Sequence, residues 1–352
     1  MHPVGQATPY PLEVHHRIRR DERADYTHAA YALDACVDVV SIQHDYGIWG
    51  GEDGGYVLDF VRALSVPAIA TLHTVPGTPT DNQRTILTEL VESVAATVVM
   101  SRSAGALLTS TYGVDPRRLV VIPHGVSDLP IVDPAAAKVG LGVEGRDVIL
   151  SFGLLGPGKG YELALDALPQ VIGERPTALY VVVGATDPDL LASEGEAYRE
   201  TLLAHVDRLG IGKHVQFVDR FVGRVELTRW LQAADVFVTP YPDLDQSVSG
   251  TMSAAMGAGR AIVSTPYAYA TELLDDGRGV LVAPGSPAAL ARALTDVLSD
   301  GDLRAAIGRR AHAYSRAMVW SAVGAEYDRL IGRVAVNARK TARPRPFIAL
   351  HA

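Results

Sequence analysis

The amino-acid sequence predicts an α/β protein built from two doubly wound domains, and three observations carry that prediction. The chain has 352 residues, beyond the size at which a single core keeps growing, so two domains are the natural division. From residue 38 onward, short apolar runs alternate with longer amphipathic segments, the pattern of parallel strands joined by crossover helices. The series breaks between Gly125 and Gly142, where Pro130, Asp133, Pro134 and a short alanine run follow no period, and then begins afresh.

In the first half the expected strands are Val37 to Ile42, Ala68 to Leu72, Thr97 to Met100 and Leu119 to Ile122. Helices fit between them, over about Asp53 to Leu64, Asn82 to Ala95 and Arg102 to Tyr112, the last ended by Gly113. The second half reads as strands Asp147 to Gly153, Ala178 to Gly184, Val215 to Val218, Val236 to Pro240, Ala261 to Ser264 and Gly279 to Val282. Its last helices span Pro287 to Leu298, Asp302 to Ala313 and Trp320 to Val334. The expected boundaries are 1–128 for the first domain, 129–145 for a linker and 146–315 for the second domain. A helix over 316–335 is free to return to the first domain, and 336–352 form a tail. The residues before the first strand are polar, proline-containing and poorly periodic, so the first domain reads as incomplete: a full doubly wound domain opens with a strand, a glycine-rich turn and a helix.

Composition narrows the function. A net charge of −8, with no basic stripe in the body, argues against a nucleic-acid partner. The basic run Arg339, Lys340, Arg343 and Arg345 reads as a solvated tail. Cys36 is the sole cysteine, which excludes an intrachain disulfide, a thiol metal cluster and a CxxC redox site. The first thirty residues hold no apolar run fit for a signal peptide and no later stretch is a membrane span, so a cytoplasmic location is expected.

Three segments carry chemistry. Ser151 to Gly160, Ser-Phe-Gly-Leu-Leu-Gly-Pro-Gly-Lys-Gly, ends a strand and opens a helix. A helix amino end offers unpaired N–H groups and positive potential, Gly153 and Gly158 permit close approach of an anion, and Lys159 adds a mobile charge; the segment reads either as a phosphate site or simply as the glycine turn that a strand-to-helix junction needs. It nearly spells a P-loop, but Gly160 stands where a hydroxyl must ligate magnesium, which argues against a nucleotide hydrolase. The second segment places Ser247, Ser249, Gly250 and Thr251 before an alanine-rich helix, either a second anion site or simply an N-cap. The third is Gln43-His44-Asp45-Tyr46-Gly47 with Trp49-Gly50-Gly51, beside Thr71-Leu72-His73-Thr74. Both histidines fall past strand carboxyl ends, where open α/β sheets place ligands. HExxH, zinc-ligand spacing and GxSxG are absent from the sequence.

These residues resemble the retaining glycosyltransferases of family 4, over about residues 38 to 334. Gly153 to Gly160 resembles that family's Gly-Arg-Leu-x-x-x-Lys-Gly turn, and Ile122-Pro123-His124-Gly125-Val126 its Pro-Asn-Gly-Val segment. Ala234 to Pro240 resembles its Ala-Asp-Val strand, and Ala255-Met256-Gly257-Ala258-Gly259 its Glu-Ala-Met-Ala-x-Gly helix end. The resemblance implies the GT-B architecture, two Rossmann-like domains facing across a cleft. It implies a hexose of glucose or mannose type moved from a UDP- or GDP-sugar to an acceptor it does not name, with neither a cofactor nor a required metal. Lys159 would hold the diphosphate, Arg220 and Phe221 would frame the base, and Ser249, Gly250 and Thr251 would complete the donor site. His73 and Gln246 would attend the sugar, while His44, Asp45, Tyr46 and Gly51 would face the acceptor.

The sequence departs from the family in three places. Leu154 replaces the turn's arginine, and the family's paired glutamates fall on Gln246 and Ala254. The opening strand and Gly-Gly loop that reach the donor phosphates in the family do not precede residue 38 here. A reduced first domain would expose a sheet edge, inviting a homo-oligomer, or admit water and favour hydrolysis. The departures also leave open a sugar-nucleotide-binding protein without transfer activity.

Overall fold

The computed structural model describes residue 10 and residues 12–341. Residues 1–9, and Arg343 and Arg345 of the basic tail, lie outside the described residues. The chain divides into two compact units, one running to Pro123 and resuming at Gly324, the other running from His124 to Val323.

The first unit holds a parallel sheet of β1 (Val40–His44), β2 (Ala68–Leu72), β3 (Ala96–Val99) and β4 (Leu119–Val121), ordered β1-β2-β3-β4. Val40 lies opposite Ala68, Ile69 opposite Ala96 and Thr97 opposite Leu119. Every residue of β2 and β3 is buried, as expected for parallel strands covered on both faces. On β1, Val40, Ile42 and His44 are buried while Ser41 and Gln43 are exposed.

Helices α1 (Arg23–Asp34), α2 (Tyr56–Ala63), α3 (Asp81–Ser93) and α4 (Arg102–Tyr112) complete that unit's first stretch. The segment that read as aperiodic therefore contains a helix. Its inward face is made of Tyr26, Ala29 and Ala30, and alanines give only a weak amphipathic signal. The helix expected from Asp53 begins only at Tyr56, because Gly51, Asp53 and Gly54 take positive φ and leave a 3-10 turn over Glu52–Gly54. A capping box of Thr80 and Gln83 fixes the start of α3.

The second unit holds β5 (Asp147–Phe152), β6 (Ala178–Val183), β7 (Val215–Val218), β8 (Val236–Thr239), β9 (Ala261–Ser264) and β10 (Val280–Leu281). Its order is β10-β9-β8-β5-β6-β7, parallel throughout. The chain builds outward from β5 to β7, then returns to β8 on the other side of β5, so the order reverses between β5 and β8. Alternation along β5 separates two cores: Ile149 packs with Tyr161, Leu165 and Leu294, and Val148 and Leu150 pack with Phe237, Met252 and Ile262.

Its helices are α5 (Pro134–Lys138), α6 (Tyr161–Glu174), α7 (Pro188–Glu194), α8 (Ala197–Leu209), α9 (Arg224–Ala233), α10 (Gly250–Gly257), α11 (Ala268–Leu273), α12 (Pro287–Ser299) and α13 (Gly301–Ser315). The stretch expected to be a linker contains α5, capped by Asp133. From α5, Lys138 reaches Asp235 at 2.6 Å, with both side chains 9% exposed. The last helix, α14 (Trp320–Thr341), starts in the second unit and ends in the first, where the Tyr327 hydroxyl lies 2.8 Å from that of Thr71 and Leu330 and Val334 are buried. Among the described residues, no helix is long and apolar enough to cross a membrane.

Candidate functional site

A reversal of strand order separates the loops leaving two adjacent strands, and open α/β sheets bind ligands in the crevice this leaves at the strand carboxyl ends. In the second unit those loops follow β5 and β8. They line a pocket of about 440 Å³ with Gly153, Leu154, Lys159, Tyr161, Tyr241 and Thr251, joined by Asp187 and Leu190 from the loop after β6.

Two glycines let the loops close on one another. Gly160 has φ of +71°, and a Cβ there would stand 1.9 Å from the Pro240 carbonyl oxygen; one on Gly184 would stand 1.8 Å from that of Gly153. The glycine-lysine turn is thereby fixed against the carboxyl ends of β6 and β8. Gly160 also serves as the N-cap of α6 and leaves that helix without a side-chain cap, so its first N–H groups and positive end remain available to an anion.

Lys159 lies with its ammonium 5.0 Å from the centre of the Tyr241 ring, which in turn stacks on Tyr267 at 5.1 Å. It forms neither an ion pair nor a hydrogen bond with any described residue. Burial pushes the Lys159 pKa down, with the nearby Asp187 carboxylate opposing the shift. An ammonium held partly out of water, with a carboxylate near but not in direct contact, favours an incoming anion.

The other expected donor residues take different places. Ser249 caps α10 by accepting from the Met252 N–H, and its hydroxyl lies 3.2 Å from that of Thr251, which also meets the Tyr241 hydroxyl at 3.1 Å. Thr251 lines the pocket; Ser249 is a buried structural cap. Gly250 stands against the His124 ring, 2.8 Å from the position its Cβ would take. Gln246 folds its amide back to donate to the Val248 carbonyl at 2.9 Å. Arg220 pairs with Glu226 at 2.5 Å, and Phe221 beside it is 77% exposed; neither lines the pocket. Tyr241, Asp187 and Leu190 were not found from the sequence. Two signals were present: the apolar strand ending at Pro240-Tyr241, and Gly184-Ala185-Thr186-Asp187-Pro188, a strand-end glycine followed by an N-cap and a proline at N1.

In the first unit the polar residues at the strand ends engage each other. His73 Nε2 lies 2.8 Å from Gln43 Oε1, and the His73 N–H donates to the His44 carbonyl. Asp45 accepts from the Thr74 hydroxyl at 2.6 Å and from the Gly47 N–H at 3.1 Å. Tyr46 donates to the Gln83 carbonyl, and Gly51 packs on the Tyr56 ring. The expectation that His44 faces a ligand is corrected here. It has no accessible surface, its ring nitrogens find no partner among the described residues, and burial pulls its pKa down to about 4. His44 is a neutral core histidine set edge-on to Tyr46 at 5.1 Å.

Both halves of the chain are similar to known proteins. Residues 6–128 match the family model described as Glycosyltransferase Family 4, and residues 146–300 match Glycosyl transferases group 1. A D-inositol 3-phosphate glycosyltransferase of Xylanimonas cellulosilytica is 30% identical over 84% of this chain and 72% of its own length. The chain belongs to the family 4 glycosyltransferases. The enzyme of the same name from Segniliparus rotundus is 26% identical over 80% of this chain, which spans only 64% of that protein. Among solved structures, Anabaena HepE, determined in complex with UDP, superposes with a TM-score of 0.72 at 19% identity, over 88% of this chain and 82% of HepE. The α/β, two-domain GT-B fold expected from the sequence is the fold observed.

Proposed function

We propose that this glycosyltransferase moves a hexose of glucose or mannose type, with retention at the anomeric carbon, from a UDP- or GDP-sugar to an acceptor hydroxyl. In that reaction the bond from C1 to the diphosphate oxygen breaks, the diphosphate leaves with the electron pair, C1 bonds the acceptor oxygen, and the acceptor proton is released. Charge develops on the diphosphate. A preorganised ammonium and a set of backbone N–H groups are what such a leaving group needs, and they act without a metal ion. His73 and Gln246 are the groups proposed for the sugar, and Gln246 would first have to release the Val248 carbonyl. UDP bound to HepE supports a uridine donor by analogy of fold alone. A cytoplasmic location belongs to the same proposal.

The observation that carries it is the unpaired, half-buried Lys159 at the uncapped end of α6. The test is release of UDP or GDP from a panel of sugar nucleotides, with and without EDTA. Lys159→Ala should slow release about 10²- to 10³-fold, the usual loss when one oxyanion donor is removed. Equal turnover in wild type and variant rejects the assignment, and loss of activity with EDTA rejects its metal-free form.

A second reading, a sugar-nucleotide-binding protein without transfer, is favoured by Leu154 at the pocket wall and Ala254 in α10. Tight nucleotide binding by calorimetry, with no product after long incubation, distinguishes it.

A further inference from the structure

At the amino ends of the second unit's strands, before β8 and β9, lies another pocket, of about 460 Å³, lined by Arg260, Arg304 and Arg309. Arg260 is only 4% exposed. Its Nε donates to the Ala258 carbonyl, Nη1 to those of Gln232 and Ala234, and Nη2 to that of Val132. A guanidinium has five N–H donors, so one on Nη2 meets no acceptor among the described residues. Arg304 spends only Nη1, on the Val297 and Leu298 carbonyls at the end of α12, and Arg309 makes no hydrogen bond or ion pair with any described residue.

The carboxylates at this pocket do not cancel the charge. Asp235 is already committed to Lys138 at 2.6 Å and to the Val148 N–H at 2.6 Å. Asp133 turns one oxygen to the Ala135 N–H as the cap of α5. Three guanidinia therefore face one carboxylate not neutralised by a lysine. Burial disfavours the charge on Arg260, Asp235 and Asp133 favour it, and Arg304 opposes it. The remaining wall is apolar, with Ile131, Val132, Pro134 and Ala305.

We propose that this pocket binds a small organic phosphate monoester, its phosphate held by Arg260, Arg304 and Arg309 and its body laid on the apolar wall. Planar guanidinia with free donors match phosphate oxygens bidentately, and the volume is that of a small-ligand site. The site is separate from the pocket of Lys159 and does not rest on the proposed transfer.

The test is calorimetric titration of the full chain carrying Lys159→Ala, which removes the donor pocket's cation, with inorganic phosphate and phenyl phosphate at ionic strength held constant with chloride. One equivalent of each should bind, phenyl phosphate more tightly. Adding Arg309→Glu, at an exposed position, should weaken both at least about tenfold, the worth of a charge-assisted hydrogen bond. Arg304→Gln should weaken them similarly; its melting temperature is followed in parallel because it also releases one end of α12. The proposal is overturned by absence of phosphate binding in the Lys159→Ala chain, by unchanged affinity in Arg309→Glu, or by phenyl phosphate binding no more tightly than phosphate.

Discussion

The two sheets finish their strands differently. In the second unit the order reverses between β5 and β8, and the loops there are fixed by backbone contact, Gly160 against the Pro240 carbonyl and Gly184 against that of Gly153. Fixing loops through backbone leaves side chains unspent, and Lys159 is one of them. In the first unit the order runs β1-β2-β3-β4 without reversal, and the strand ends are tied by side chains: His73 to Gln43, and Thr74 to Asp45. The polar groups that could grip a ligand there already grip each other. A ligand's charge is therefore best met by the second unit, while the first offers groups that must exchange partners to act.

The largest expected effect probes the backbone half of this contrast. Gly160→Ala combines a left-handed backbone with a Cβ 1.9 Å from a carbonyl oxygen, and should cost about 4 kcal/mol of stability. Gly173→Ala, in the same helix with open space around it, should gain up to about 1 kcal/mol. Urea denaturation of both decides, and equal effects would mean that the turn is not locked by its backbone.

Next comes the buried histidine of the first unit. The His44 pKa of about 4 lies below the ordinary 6.5, so the unfolded chain binds the extra proton first as pH falls. Stability is full above about pH 6.5, declines as pH drops towards 4 and levels off below, by about 3 kcal/mol in all. Burial pushes His124 in the same direction, so the curve of His44→Leu should flatten between those pH values without becoming level. An unchanged curve would mean that His44 is hydrated.

Much of this was legible in the sequence because it rests on local rules. β2, β7, β9 and α4 have the bounds that apolar runs and Gly113 indicated, and the Ser151 to Gly160 turn joins a strand to a helix as its composition required. α1 was not legible, because Tyr26, Ala29 and Ala30 define an inward face only once α2 is there to receive them. Nor was the start of α2, which depends on positive φ at Asp53, a residue whose side chain is held by Asn82 from another helix. The burial of His44 follows from alternation along β1 with Val40 and Ile42, a period the sequence contained but which its position at a strand end outweighed. Tyr241 and Asp187 belong to the pocket through strand order, which no local pattern encodes.

The contrast also predicts how nucleotide binding divides between the units. Lys159→Ala should weaken binding of UDP or GDP about 10- to 100-fold, the range for a lost hydrogen bond to a charged group. His73→Ala, which frees Gln43 and removes no cation, should change it less than about threefold. Calorimetry on the two variants sharpens the comparison if those values hold, and the reverse order would break it.

The smallest effect concerns how the returning helix is held on the first unit's sheet. The Tyr327 and Thr71 hydroxyls meet at 2.8 Å, with Thr71 buried in β2, while Leu330 and Val334 bury apolar surface along the same helix. Tyr327→Phe and Thr71→Val each remove one partner, and a buried hydroxyl left alone costs about 1 kcal/mol or more. The double variant leaves neither hydroxyl unpaired, so its loss should fall short of the sum by about 1 kcal/mol. Additive losses in denaturant titrations would show that the pair contributes nothing, and that α14 is held in the first unit by its apolar face alone.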